Sequence, residues 1–175
     1  LRSHGWRRAI SNKKSNSWSF INSGFNLRPT DISASIGNSQ LKKLKKISLI
    51  RQQNFKSIRS ALLDDKRYSN KFDIIEENIN NKIVWFGIPI ILKSTDKNYK
   101  NKVTNKLNKF GIDTRPLISG NFAKQPAIKL YKLKINSNLK NANFIDKNSF
   151  FIGLHNTKTN IKTVDYIKNA FYSSL

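Results

Sequence analysis

The run from Asp31 to Leu62 constrains this chain more than any other stretch. Pro29 cannot continue a helix backward, and Thr30 or Asp31 can cap the first free amides, so a helix is expected to start there. Ile32 and Ile36 share a face, Leu41, Leu44 and Ile47 carry it on, and Phe55, Ile58 and Leu62 complete it with some drift. The spacing predicts one helix of roughly thirty residues with room for a kink. Ser33, Ala34, Ser35 and Gly37 in its first turns would let another backbone approach closely, which suits a subunit interface. The turn that enters it is Gly24-Phe25-Asn26-Leu27-Arg28-Pro29-Thr30. Before that turn, residues 1–23 carry two of the three Trp, His4, Arg2, Arg7 and Arg8, with no steady apolar period. Such a segment reads as a loop. Arg offers a planar fork to phosphate and Trp a flat face to a base or sugar ring, so a loop of this kind can wall a ligand; a packed surface loop is the plain alternative.

Behind the helix the pattern switches repeatedly. Residues 64–82 are polar, with one strand expected at 72–75. Residues 83–92 are nearly all apolar and read as a strand, with Pro89 at an edge or bulge. Val103, Leu107 and Phe110 predict a helix that stops at Gly111. Residues 114–118 read as a short strand and Ser119-Gly120-Asn121-Phe122 as a turn. A short helix near 126–131, a helix through Leu139, Ala142 and Ile145, and a strand at 150–154 follow. A last helix after Thr159 is expected to point Ile161, Val164, Ile167 and Phe171 inward. Strands and helices around one modest sheet make an α+β domain.

Composition matters mainly through charge. The formal net charge of +23 comes from 25 Lys and 8 Arg against 10 acidic residues. Taken alone it points to nucleic acid or an anionic surface. The chain also holds 23 Asn and 22 Ile, and Lys, Asn and Ile are the residues of A/T-rich codons, so codon usage accounts for the charge as well as an anionic partner does. The lysines are scattered, without aromatic-interleaved basic runs, which favours codon usage and no nucleic-acid partner. With no Cys and only His4 and His155, neither a disulfide framework nor a metal site is expected, and each His reads as a hydrogen-bonded structural residue. No apolar run is long enough to span a membrane. A chain opening on Leu1-Arg2-Ser3 reads as the middle of a longer protein.

The motifs then carry a resemblance. His4-Gly5-Trp6 with Arg8, the turn at 24–30 running into Ile36-Gly37 and Gln40-Leu41-Lys42-Lys43-Leu44, and the later Gly111-Ile112-Asp113-Thr114-Arg115-Pro116 resemble the C-terminal half of the DegT/DnrJ/EryC1/StrS-type sugar aminotransferases and dehydratases, which depend on pyridoxal phosphate. Trp85-Phe86-Gly87, Ser119-Gly120-Asn121-Phe122 and Phe150-Phe151-Ile152-Gly153 with His155 are most similar to the branch of GDP-4-keto-6-deoxymannose 3-dehydratases. The common sugar aminotransferases usually carry a Pro-x-His type segment where this chain has Gly120-Asn121. Related CDP-sugar dehydratases hold an iron-sulfur cluster through Cys in this half, and this chain has none.

The resemblance implies the fold, the cofactor and the site. The fold would be the α+β C-terminal portion of a fold type I, aspartate aminotransferase-like transferase: an active-site loop at 1–23, a phosphate-clamp turn and interface helix at 24–66, and a small domain at 67–175. Asn26 would reach across a homodimer interface to the cofactor phosphate of the other subunit, with Arg28 at the same junction. Arg8 would pair with the diphosphate and Trp18 stack on the base of a nucleotide sugar, and Asp113, Arg115 and Asn121 would complete the substrate contacts. Asp113 stands where the dehydratases usually have Glu, and the loop between Arg8 and Trp18 is shorter than theirs. Glutamate would convert pyridoxal phosphate to pyridoxamine phosphate, whose ring is the electron sink for loss of the 3-hydroxyl from a 4-keto sugar in cytoplasmic O-antigen biosynthesis. The cofactor-facing His of a dehydratase, or Lys of an aminotransferase, is expected upstream of Leu1, so no catalytic acid or base is assigned here and the chain alone is expected to be inactive. A nucleotide-sugar aminotransferase is the near alternative and a basic nucleic-acid-binding domain the distant one.

Overall fold

The computed structural model of the chain describes residues 25, 27, 30–75, 82–117, 120–125, 128, 130, 134, 135 and 137–175. By internal contacts the chain divides into two compact units, Leu1–Leu44 and Lys45–Leu175. That helix, α1 (Asp31–Leu63), has 33 residues, close to the length expected from its spacing. Thr30 caps it: its Oγ1 accepts from the Ser33 amide at 3.2 Å, and its carbonyl accepts from Ala34 at 3.0 Å. Asp31 adds an acidic side chain to the first turn, where the helix dipole favours it. Ile32, Ile36, Leu41 and Leu44 are all exposed.

In the second unit a four-stranded antiparallel sheet has the order β1-β2-β4-β3, with β1 (Phe72–Ile74), β2 (Gly87–Leu92), β3 (Thr114–Pro116) and β4 (Ser149–Gly153). The register pairs Phe72 with Leu92, Ile74 and Phe150 with Ile90, and Ile152 with Ile88, which puts one set of large apolar side chains on one face. All of these are buried. They form a single core with Phe55, Ile58 and Leu62 of α1, Val103 and Leu107 of α3 (Tyr99–Lys109), and Val164, Ala170 and Phe171 of α5 (Ile161–Ser174). Each of these Val, Leu, Ile and Phe side chains, fully buried, contributes about 1.5–3 kcal/mol. Phe72 meets Phe171 edge to face with centroids 4.9 Å apart.

The helix stop at Gly111 takes the expected form. Gly111 has φ +71, and the Ile112 amide reaches back to the Leu107 carbonyl at 3.0 Å, closing α3 with a left-handed cap. Between β3 and β4, α4 (Lys140–Asn148) starts one residue after Leu139. Only Ile128 and Leu130 of the short helix expected near 126–131 are among the described residues.

Three expectations need correcting. Ile161 is 77% exposed, because it is the first residue of α5, before the helix reaches the sheet; the inward stripe is Val164, Ala170 and Phe171, with Ile167 half-buried. The strand expected from residue 83 begins only at Gly87. Residues 83–86 are instead drawn to α1, where Gln52 Nε2 donates to the Ile83 carbonyl at 3.3 Å and Trp85 stacks on Phe55 at 4.9 Å. Pro89 sits in β2, an interior strand, not an edge. The reason follows from the hydrogen-bond alternation. Lys93 donates to Lys71 on the β1 side and Phe86 accepts from Leu154 on the β4 side, so odd-numbered residues of β2 face β1. Pro89 therefore lacks its amide where it would meet residue 75, one place beyond the last β1 pair, Ile74 with Ile90.

The helical turn α2 (Lys66–Ser69) is capped by Asp65, whose Oδ1 accepts from the Arg67 amide at 2.9 Å while the Arg67 guanidinium reaches Oδ2 at 2.6 Å. The Arg67 side chain, and after it the Arg67 amide, lower the Asp65 pKa from 3.8 to about 2. A carboxyl depressed in the fold lends stability that is present above 3.8 and lost as pH falls toward about 2. A carboxyl-detected NMR titration is expected to place Asp65 near the lower value, and Arg67→Gln to move it back toward 3.8.

Candidate functional site

The sheet face opposite the core carries the chemistry. Arg115 on β3 lies opposite Phe151 on β4, and Phe151 lies opposite Pro89 on β2, so the three project to the same side. Asp113, two residues before Arg115, continues that face. Asp113, Arg115 and Phe151, together with Pro116, Gly153, Leu154 and Phe86, line a cleft of ≈ 650 Å³. The sequence-predicted Asp113 and Arg115 are thus brought together, both exposed to solvent in an apolar-walled groove. A carboxylate offers acceptors only and a guanidinium donors only, so the pair can orient a ligand bearing hydroxyl groups.

The walls were not assigned a role from sequence. Phe86 is 68% exposed and meets Phe151 edge to face at 5.6 Å. Arg51 of α1 lays its guanidinium over Phe86, 5.9 Å from the ring centroid, while its Nε is buried without a hydrogen-bond partner among the described residues. The signal was present for Phe151, which alternates with the buried Phe150 and Ile152 and so must face away from the core. Arg51 gave none, since one of two Arg on a Lys-rich helix has no distinguishing pattern.

Asn121 stands apart from this cleft. It is 5% exposed, its Oδ1 caps a 3₁₀ turn (Phe122–Lys124) by accepting from Ala123 at 3.0 Å, and its Nδ2 donates to Asn143 Oδ1 of α4 at 2.9 Å. Lys124 reinforces the same junction through Asp146 at 3.0 Å. Both ends of the Asn121 amide are therefore engaged by the fold.

Asn54 was missed in the sequence. It is 2% exposed on α1, and its Nδ2 donates to the carbonyls of His155 (3.1 Å) and Thr157 (2.8 Å) while its Oδ1 accepts from the Thr159 amide (2.9 Å). One side chain thereby fastens the loop between β4 and α5, directly after the cleft residues Gly153 and Leu154. Among 23 Asn in this chain nothing marks this one, other than its place between apolar Ile50 and Phe55.

Arg8, Trp18, Asn26 and Arg28 lie outside the described residues. At the helix start beside Asn26 and Arg28, the Ser33 amide is already satisfied by Thr30, and Asp31 occupies the first turn. No group of three or more His, Asp or Glu among the described residues could hold a metal, and no helix among them is long and apolar enough to cross a membrane.

The comparisons with known proteins agree with this architecture. The GDP-4-keto-6-deoxy-D-mannose 3-dehydratase of Yersinia pseudotuberculosis is 33% identical over 183 residues, covering 98% of this chain and 44% of that protein. The E. coli enzyme of that name, solved with bound hydrated pyridoxal phosphate, superposes with a TM-score of 0.82 at 29% identity, covering 97% of this chain and 45% of that one. A variant of such a dehydratase solved with bound GDP-perosamine gives 0.82 at 30% identity with the same coverage. The chain thus spans a little under half the length of these relatives, and its fold is part of a fold type I, pyridoxal-phosphate-dependent transferase. The model of the DegT/DnrJ/EryC1/StrS aminotransferase family matches residues 1–171, and the chain belongs to that family.

Proposed function

We propose that the protein containing this chain removes the 3-hydroxyl of a GDP-4-keto-6-deoxyhexose, using pyridoxal phosphate and its pyridoxamine form with glutamate as amino donor. The observation that carries the reading is the likeness, over nearly the whole chain, to dehydratases solved with that cofactor and with a GDP-sugar. When bound, the cofactor supplies an electron sink at the sugar carbon next to the leaving hydroxyl. This chain's part is binding and orientation. Asn26 and Arg28 would hold the cofactor phosphate, Arg8 the diphosphate and Trp18 the base. Asp113 and Arg115, on their apolar-walled groove, would fix the sugar by paired acceptor and donor contacts. Asn121, which holds the 120–124 loop on α4, would add a further contact to the substrate. The exposed Ile32, Ile36, Leu41 and Leu44 support an interface along α1 in a homodimer that shares its sites. The catalytic acid or base is assigned to the rest of the protein, so this chain by itself would be inactive.

A product analysis tests the reading. The full-length protein, given pyridoxal phosphate, glutamate and GDP-4-keto-6-deoxymannose, is expected to yield a 3-deoxy sugar; a 4-amino sugar as the product would make it an aminotransferase instead. In the same protein, Asn26→Ala is expected to raise the dissociation constant of the cofactor about tenfold, the worth of one charge-assisted hydrogen bond. Unchanged cofactor retention on dialysis would remove Asn26 from the phosphate site.

A further inference from the structure

We propose that His155 is a further ligand-binding residue of the Asp113 and Arg115 cleft, presenting its Nε2–H to the sugar moiety; this rests on the nucleotide-sugar reading above. β4 alternates so that Phe151 and Gly153 lie on the cleft face while Phe150 and Ile152 enter the core. The ladder runs one residue past the strand, the Leu154 amide donating to the Phe86 carbonyl at 3.2 Å. His155 directly follows the cleft residues Gly153 and Leu154.

The ring is held in one orientation. The Thr157 amide donates to its Nδ1 at 3.2 Å, and the Thr157 hydroxyl lies 2.7 Å from the same atom. A ring nitrogen that accepts from an amide must carry its lone pair there, so in the neutral imidazole the proton sits on Nε2. Beneath the ring, buried Asn54 fixes the carbonyls of His155 and Thr157. The residue is exposed, and both of its ring contacts with Thr157 are made through Nδ1. The result is a donor of fixed tautomer at the margin of a groove that already holds an acceptor, Asp113, a second donor, Arg115, and two apolar rings, Phe86 and Phe151. Acceptor and donors set around flat apolar surface match a pyranose, whose hydroxyls lie at its edge and whose C–H groups lie on its face.

Calorimetric titration of the full-length protein with GDP-perosamine and with GDP tests this. His155→Leu is expected to weaken GDP-perosamine about tenfold, one lost hydrogen bond, and to leave GDP within about twofold. His155→Gln, whose side-chain amide can still donate, is expected to recover most of that loss, and the melting temperature to be the same for all three proteins. An unchanged GDP-perosamine affinity in His155→Leu, or equal losses for GDP and GDP-perosamine, would overturn the proposal while leaving the nucleotide-sugar reading intact. Failure of the unmutated protein to bind GDP-perosamine would overturn that reading and the proposal with it.

Discussion

Asn54→Ala is expected to lower the stability of the folded protein by about 3 kcal/mol, at the upper end for a surface-to-core polar substitution. The size follows from what is left behind. Asn54 serves two carbonyls and one amide of the 155–159 loop from a buried position, so truncation leaves three backbone groups without their partner where water enters poorly. Asn54→Asp is expected to be at least as damaging at neutral pH, because it keeps the acceptor for Thr159 but sets a carboxylate against two carbonyl oxygens. Denaturant unfolding of the three proteins measures this. A loss below about 1 kcal/mol for alanine would show that water replaces the asparagine and that the loop is not fastened through it. The same variant should also raise the hydrogen-exchange rate of the Thr159 amide well before global unfolding.

Gly87→Ala is the second large effect. A Cβ at Gly87 would lie 2.5 Å from Phe151 Cδ2 and 2.7 Å from the Ile152 carbonyl oxygen. The ring could swing aside, but the carbonyl belongs to the neighbouring strand, so β2 and β4 would have to part. Overpacking of this kind costs about 1–3 kcal/mol, and the upper end is expected where backbone must move. The functional loss should exceed the loss of stability, since the methyl would also push Phe151 out of the cleft wall. The check is a GDP-perosamine titration beside an unfolding curve. Full ligand affinity in a destabilised Gly87→Ala protein would separate Phe151 from the ligand altogether.

The parts of this fold that were legible in the sequence are those set by local pattern. The Thr30 cap and the apolar period gave α1 nearly to its last residue, and Val103, Leu107 and Gly111 gave α3 with its stop. Residues 83–86 misled because an apolar run does not say which partner it will pack on; Trp85 found Phe55 before it could join the sheet. Ile161 misled because periodicity does not show where a helix first touches its support. In the site, Asp113 and Arg115 were visible through a motif, and alternation then carries them to one face. Asn54 and Arg51 were not, because each acts on residues about a hundred or a few tens of positions away, and only the tertiary fold supplies that pairing. Asn121 shows the reverse case, a motif residue whose amide the fold uses at both ends.

Pro89 has a consequence for how the sheet finds its alignment. A slide of β1 by two residues along β2, toward the β2 N-terminus, would keep every side chain on its proper face, so hydrophobic pattern alone does not forbid it. Such a slide would, however, bring a bonding position of β1 opposite Pro89, which has no amide to give, and the shifted ladder would be one bond short. The native alignment is the one in which the last β1 pair stops just before the imide. A residue that is normally excluded from an interior strand here acts as an end marker, disfavouring alignments of β1 displaced toward the β2 N-terminus that burial alone would accept.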